Sequence, residues 1–286
     1  MSTPLDSAIL RTLLYYDIWH YPLNAKELFT FLPINSLSFD DFRHSLAKHG
    51  AGDMVVGHEG YYFLKDKNQA IVTQRVMKER RARWMWQMAR LAAYIIKRFP
   101  FVRAVFVSGD LSKNVTNRDS DVDFFIVTAP NRLWITRTLL ILFKKIFLFN
   151  SKKFFCLNYF ITSDHLRLDE QNVYAATEIA HLKPLFNSRL FFQYLHANDW
   201  INKFFPNFDI SSLSLPRVDE KPSLIQRFLE LPFLFLPSDR IDWYFLRKMK
   251  VIWAKRYPEF DEETRNRIFR STRDESRAYV GNFQDK

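Results

Sequence analysis

Apolar positions in the first part of the chain recur at helical spacing and are broken by turn residues. Over residues 5–20, Ile9, Leu13, Leu14 and Ile18 share one helix face, and Tyr21-Pro22 ends the segment. Asn24 then caps a second helix. Glu27, three residues on, completes a capping box, and Leu28, Phe31 and Leu32 form the apolar face. Ser38 and Asp41 open a third helix with Phe42 and Leu46 inward, which Gly50 stops. Short apolar runs at 54–56 and 61–64 flank Gly57-His58-Glu59-Gly60, which predicts a β-hairpin. Residues 67–98 contain neither Pro nor Gly and predict one long helix. Lys78, Arg80, Arg81, Arg83 and Arg90 make it basic, and Trp84 and Trp86 lie among them.

The pattern then changes period. Residues 102–107 form an apolar, β-branched run that Gly109 follows almost at once. After eleven intervening residues, Asp121, Val122 and Asp123 open a second strand, continued by the apolar run 124–127. Ala129-Pro130-Asn131 breaks it, and 133–149 predicts a helix covering one sheet face. A third strand is expected over 153–162, helices from Ala175 to about residue 205, and a Pro- and Ser-bearing link over 206–223. Residues 224–271 are helical and basic, with Arg240, Arg247, Lys248, Lys250, Lys255 and Arg256. The polar end from Ser271 is expected to fray.

Candidate chemistry concentrates in 102–128. Residues i and i+2 of a strand share a face, so Asp121 and Asp123 point together. Adjacent carboxylates repel unless a cation lies between them, and a hard divalent ion that also bridges phosphate oxygens is the common solution. The strand-turn-helix before them suits anion binding through backbone N–H groups, and Gly109 leaves the approach open. Lys113 and Arg118 in the same loop can neutralise phosphate charge.

Gly109, Asp110, ten further residues and then Asp121-Val122-Asp123-Phe124 resemble the signature of the polymerase-β-like nucleotidyltransferase superfamily. The resemblance covers about 25 residues. It implies transfer of a nucleoside monophosphate from an NTP to a hydroxyl, with Asp121 and Asp123 as ligands of Mg²⁺ or Mn²⁺. Ser108, Gly109, Lys113 and Arg118 are then the nucleotide-binding residues. Asp110 stands where the family has a hydroxyl. The family's third carboxylate, on a later strand, has no counterpart at Asn158, so Glu178 and Asp164 are the candidates for it. Glu178 also shares a helix face with His181.

Three helices followed by a hairpin look like a winged-helix domain, with 39–49 as reader and the hairpin as wing. The reader helix carries Asp40 and Asp41 beside Arg43 and His44, so a docking role is preferred to base reading. YPLNAKELFTFL, the Asp-Val-Asp segment, CLNYFITSD and YAATEIAHLKPLFN together resemble bacterial proteins that place such a segment before a nucleotidyltransferase domain. The expected fold is α+β: a winged-helix-like domain (1–66), a long basic connecting helix (67–98), a small mixed-sheet nucleotidyltransferase core (99–205) and a helical C-terminal region (206–286).

Composition narrows this reading. Of 286 residues 48% are apolar, 29 are Phe and only six are Gly, which suits a packed core. The net charge of +11 favours nucleotides, nucleic acid or acidic membrane surfaces as partners. The single Cys156 excludes an intrachain disulfide and a cysteine-based zinc site, and is expected as a buried thiol. There is no Walker A loop, no G-x-S-x-G and no clustered His. Residues 133–149 carry charges and 228–236 is short and contains Pro232, so both are expected as core helices and not as spans. The first seven residues lack a basic stretch, and a cytoplasmic protein is expected. Two functions follow: a metal-dependent nucleotidyltransferase with an unknown acceptor, or a nucleotidyltransferase-fold protein that binds nucleotide or nucleic acid as a regulator.

Overall fold

The computed structural model describes residues 3–35, 37–49 (backbone only at 48 and 49), 54–213, 215 and 217–277. The protein is α+β, with a three-stranded and a five-stranded sheet among the described residues. Two compact units divide it. The first is Met1–Ala82 with Glu170–Ala180 and Asp199–Leu213; the second is Arg83–Asp169 with His181–Asn198 and Ser214–Lys286. The division falls inside the long helix expected over 67–98, and two later segments return to the first unit.

In the first unit, α1 (Pro4–Asp17) begins at a capping box between Thr3 and Asp6. It is followed by β1 (Leu23–Asn24), α2 (Ala25–Thr30), α3 (Phe39–His49), β2 (Val55–His58), β3 (Tyr61–Leu64) and α4 (Ala70–Ile96), which runs on into the second unit. The strands lie in the order β1-β3-β2, all antiparallel. The caps form as the sequence predicts. The Asn24 side chain accepts from Glu27 N–H at 2.9 Å, and the Glu27 carboxylate accepts from Asn24 N–H at 3.0 Å. Ser38 Oγ accepts from Asp41 N–H at 3.2 Å. The hairpin turns at Glu59 and Gly60, with φ of 48° and 79°, the left-handed pair that a two-residue turn requires. The expected stop at Gly50 lies outside the described residues.

Arg75 of α4 ties this unit together. It donates to Glu27 and to Glu79, each at 2.7 Å, and to the Pro22 carbonyl at 3.1 Å, and its guanidinium lies 3.7 Å from the centre of the Tyr21 ring. The acceptors of one buried cation are thereby drawn from β1's approach, α2 and α4.

The second unit contains β4 (Val102–Ser108), the single turn α5 (Gly109–Ser112), β5 (Asp123–Thr128), α6 (Leu133–Phe147) and β6 (Cys156–Thr162). Helix α7 (Val173–His181) lies almost wholly in the first unit. Then come β7 (Lys183–Phe186), α8 (Ser188–Ala197), α9 (Leu224–Glu230), a 3-10 turn at Leu231–Leu234, α10 (Ser238–Arg256), α11 (Glu262–Ile268) and β8 (Glu275–Arg277). The sheet order is β7-β4-β5-β6-β8; only β5 and β6 are parallel, joined by α6 as crossover. Phe106, Phe125 and Tyr159 stack across three neighbouring strands at 5.8 and 4.7 Å, against Phe191 and Tyr194 of α8. Elsewhere in the core Phe124 packs on Phe155, and Phe155 on Phe143 of α6.

Three expectations are corrected. Residues 183–186, read as helix, form the edge strand β7, where Pro184 is tolerated because an edge needs fewer ladder donors. Residues 271–277 do not fray: β8 pairs with β6, and Glu275 accepts from the buried Tyr159 hydroxyl, while the rest of the polar end, 278–286, lies outside the described residues. Residues 228–236, expected in the core, lie largely at the surface, with Phe233 as the inward residue.

Candidate metal and nucleotide site

Gly109 ends β4 in the left-handed region, at φ +66°. A Cβ built there would stand 2.5 Å from Asp123 Oδ2, so the missing side chain is what lets that carboxylate rest against the turn. Register explains the approach, since Ser108 of β4 is paired with Asp123 of β5. Asp121 and Asp123 are both half-buried, and Val122 between them is fully buried, which is the alternation expected of the Asp-Val-Asp segment. Backbone bonds fix it in place: Val122 N–H donates to the Lys153 carbonyl at 3.0 Å, and Cys156 N–H to the Val122 carbonyl at 3.1 Å.

The loop between the strands is braced from within. Asp110, the acid standing where the resemblance expects a hydroxyl, accepts from Ser120 Oγ at 2.7 Å and so ties the start of the loop to its end. Lys113 Nζ reaches the Gly109 carbonyl at 3.4 Å, and Trp86 Nε1 donates to Asn114 Oδ1 at 2.9 Å. Arg118 is exposed; its carbonyl accepts from Lys153 Nζ. Ser108 is buried, and its Oγ has no hydrogen-bond partner among the described residues. The helix expected after Gly109 is one turn only.

The parallel pairing of β5 and β6 decides what stands beside the carboxylates. Asp123 is level with Cys156, while Asn158 falls at a register shift further along. The Cys156 thiol hydrogen-bonds Asp123. Its pKa is pushed well up, first by burial and then by Asp123 and Asp121, so it stays a thiol. Behind it on α6, Arg137 is buried and Lys144 half-buried; burial lowers the pKa of both, Arg137 to about 10.

Of the two third-carboxylate candidates, Asp164 lies just past the end of a strand of the carboxylates' own sheet and Glu178 belongs to the other unit. Asp164 follows Thr162, which is level with Thr128 at the far end of β5. Thr128 is five strand steps beyond Asp123, roughly 17 Å at strand rise. Glu178 belongs to the first unit, where it acts on Tyr15 and Tyr16 of α1; burial, and secondarily Glu178, raises the Tyr15 pKa to about 12. Among the described residues no group of three or more His, Cys, Asp and Glu is arranged to hold a metal ion.

The residues present nonetheless fit a Mg²⁺-nucleotide. Such an ion is held by one or two carboxylates and completes its shell with water and phosphate oxygens. Asp121 and Asp123 are hard oxygen donors at a strand start, beside a cradle that any Cβ would fill and a buried hydroxyl without a protein partner. Sequence reasoning missed Cys156, Ser120 and Arg137. Of these, Cys156 carried a local signal, as the strand residue at the end nearest Asp121; the others are brought in by the fold. The chain matches no family model, no curated protein and no solved structure.

Proposed function

We propose that the protein is a metal-dependent nucleotidyltransferase that moves a nucleoside monophosphate from an NTP to a hydroxyl of an acceptor, acting in the cytoplasm. The observation that carries the reading is the Asp123 carboxylate seated against the left-handed Gly109 turn, with Asp121 two residues before it. Asp121 and Asp123 would hold Mg²⁺ or Mn²⁺, which would supply positive charge to offset the negative charge of the phosphates. The Ser108 hydroxyl is an orienting donor for phosphate, and Lys113 and Arg118 contribute positive charge along the loop. Asp110, engaged by Ser120, is directed to bracing the loop. The acceptor hydroxyl attacks the α-phosphorus and pyrophosphate leaves. The protonated thiol of Cys156 cannot take the acceptor's proton, so the proton passes to water and slow turnover is expected.

That same thiol favours a second reading, in which the site binds Mg²⁺-nucleotide without transfer and the protein acts as a regulator. The first unit supports such a role. Its order α1-β1-α2-α3-β2-β3, with β1 paired to β3, supports reading it as winged-helix-like. We read it as a docking module, because α3 exposes Asp40 and Asp41, and Arg43 lies 3.6 Å from Asp40.

Transfer of α-labelled NTP, one base at a time, to components of a cell extract with Mg²⁺ or Mn²⁺ tests both. Label on a product that falls at least about 1,000-fold in Asp121→Asn with Asp123→Asn establishes the enzyme. Metal-dependent nucleotide binding without transfer establishes the regulator. Neither binding nor transfer would leave the carboxylates as structure alone.

A further inference from the structure

Helix α9 is turned inside out. Its inward residues are polar: Gln226 Nε2 donates to the Val102 carbonyl at 2.6 Å, and Glu230 accepts from Phe101 N–H at 2.6 Å and from Arg103 at 2.9 Å. Its outward residues are mostly apolar, with Leu224 81% and Phe228 71% exposed and Arg227 the one outward base. The 3-10 turn continues the pattern. Phe233 packs on Phe101, while Leu234 and Phe235 are 74% and 88% exposed. A water-facing helix normally shows the reverse arrangement, and contiguous large apolar side chains at a surface mark a contact site.

The next helix supplies the charge. On α10, Ile241 and Phe245 pack on the same core cluster as Phe233. The opposite stripe, at helical spacing, is Arg240, Trp243, Tyr244, Arg247, Lys248, Val251, Ile252 and Lys255, all exposed. Arg247 lies over the Trp243 ring at 5.0 Å and Lys248 over Tyr244 at 5.8 Å. Asp239, the exposed acid at the start of α10, is engaged by Arg132.

We propose that α9, the 3-10 turn and the outer face of α10 form a peripheral docking surface for an anionic phospholipid bilayer. Leu224, Phe228, Leu234 and Phe235 enter the acyl boundary. Trp243 and Tyr244 sit at headgroup level, and the bases meet lipid phosphates. A second copy of the chain is disfavoured, because an isologous contact would set these bases against themselves in a chain of net charge +11. Nucleic acid would engage the bases and rings of α10 but offers nothing to the apolar side chains of α9. No helix among the described residues is long and apolar enough to cross a membrane, so the contact is with one face of the bilayer.

Co-sedimentation of the full chain with phosphatidylcholine vesicles, with and without phosphatidylserine, tests this. Binding is expected to the mixed vesicles, to weaken with salt, and to fall at least about tenfold in Phe228→Ser/Leu234→Ser/Phe235→Ser and in Arg247→Glu/Lys248→Glu. All five side chains are exposed, so unchanged thermal unfolding verifies that the variants fold. Three results would overturn the proposal. One is no vesicle binding. Another is self-association in sedimentation velocity that the triple variant dissolves, without vesicle binding. The last is binding of a labelled single-stranded RNA that the charge variant alone abolishes, again without vesicle binding.

Discussion

Arg75 and Arg137 are buried to nearly the same degree, 3% and 6% exposed, and are held in opposite ways. Around Arg75 every direction offers an acceptor: two carboxylates, a carbonyl and the face of Tyr21. Burial pulls its pKa down, but Glu27, Tyr21 and Glu79 reverse the effect and the net shift is upward. Arg137 lies over the Phe160 ring, at 5.1 Å from its centre, and Nε and Nη1 have no hydrogen-bond partner among the described residues. Burial lowers its pKa, with the Cys156 thiol as the opposing influence, yet at about 10 it remains charged at neutral pH. Burial alone therefore says little about what a charge contributes. Whether its donors find acceptors decides the sign.

The sharpest way to break the comparison is the same substitution at both positions. Arg75→Met leaves Glu27 and Glu79 without their cation and should destabilise by about 3–5 kcal/mol, read from urea unfolding. Loss of less than 1 kcal/mol (about the value of an exposed pair) would show the network to be dispensable.

Asp242 adds a buried charge of the other sign. It accepts from Ile135 N–H at 2.8 Å and so caps α6 from α10, where Arg132 at the N-cap offers no side-chain bond. Burial raises its pKa to about 6 against the lowering effect of the Ile135 and Trp134 N–H groups. The folded state then binds more protons than the unfolded state between about pH 4 and 6. Stability from this group is present below that window and is lost as pH rises through it, by up to about 3 kcal/mol. Asp242→Asn keeps the acceptor and removes the titration. The difference between wild type and variant, followed by unfolding at each pH, should change across pH 4–6 and be level above it.

A smaller effect is expected at Gly109, where Ala brings both a left-handed φ and the clash with Asp123. Destabilisation of about 1–3 kcal/mol is expected, with a larger fractional loss of metal-dependent nucleotide binding. Gly60→Ala is the control, since φ is +79° there but nothing lies within 4 Å of the added Cβ. Equal loss of binding in both variants would detach Gly109 from the site. Last, Arg137→Met should lie within about 1 kcal/mol of wild type or above it. A loss like that of Arg75→Met would mean that the two arginines do the same work.

Local chemistry was legible in the sequence wherever the partners lie within a few residues. The Asn24–Glu27 and Ser38–Asp41 caps, the Glu59–Gly60 hairpin turn, the Gly109 turn and the Asp121-Val122-Asp123 alternation all form as their spacing predicts. Each depends on backbone geometry over one turn or two strand residues, which residue type settles. The α+β class follows from the same change of period, from helical to alternating.

Tertiary structure decided what depends on distant partners. Four residues around Pro184 are too few to tell a strand from a helix, and β7 exists because β4 offers an unpaired edge. The short β8 exists because β6 offers the other. Parallel register set Cys156, and not Asn158, beside Asp123, and put Asp164 at the far end of the strand. Acceptors 48 and 53 residues away made Arg75 a structural cation, while Nε and Nη1 of Arg137 found none among the described residues. Hydrophobicity alone sent 228–236 to the core. The fold instead bonded Gln226 and Glu230 to the start of β4 and left the apolar side chains outside. A side chain's type sets what it can bond, but which face of its helix finds a partner depends on contacts that close only when the chain is folded.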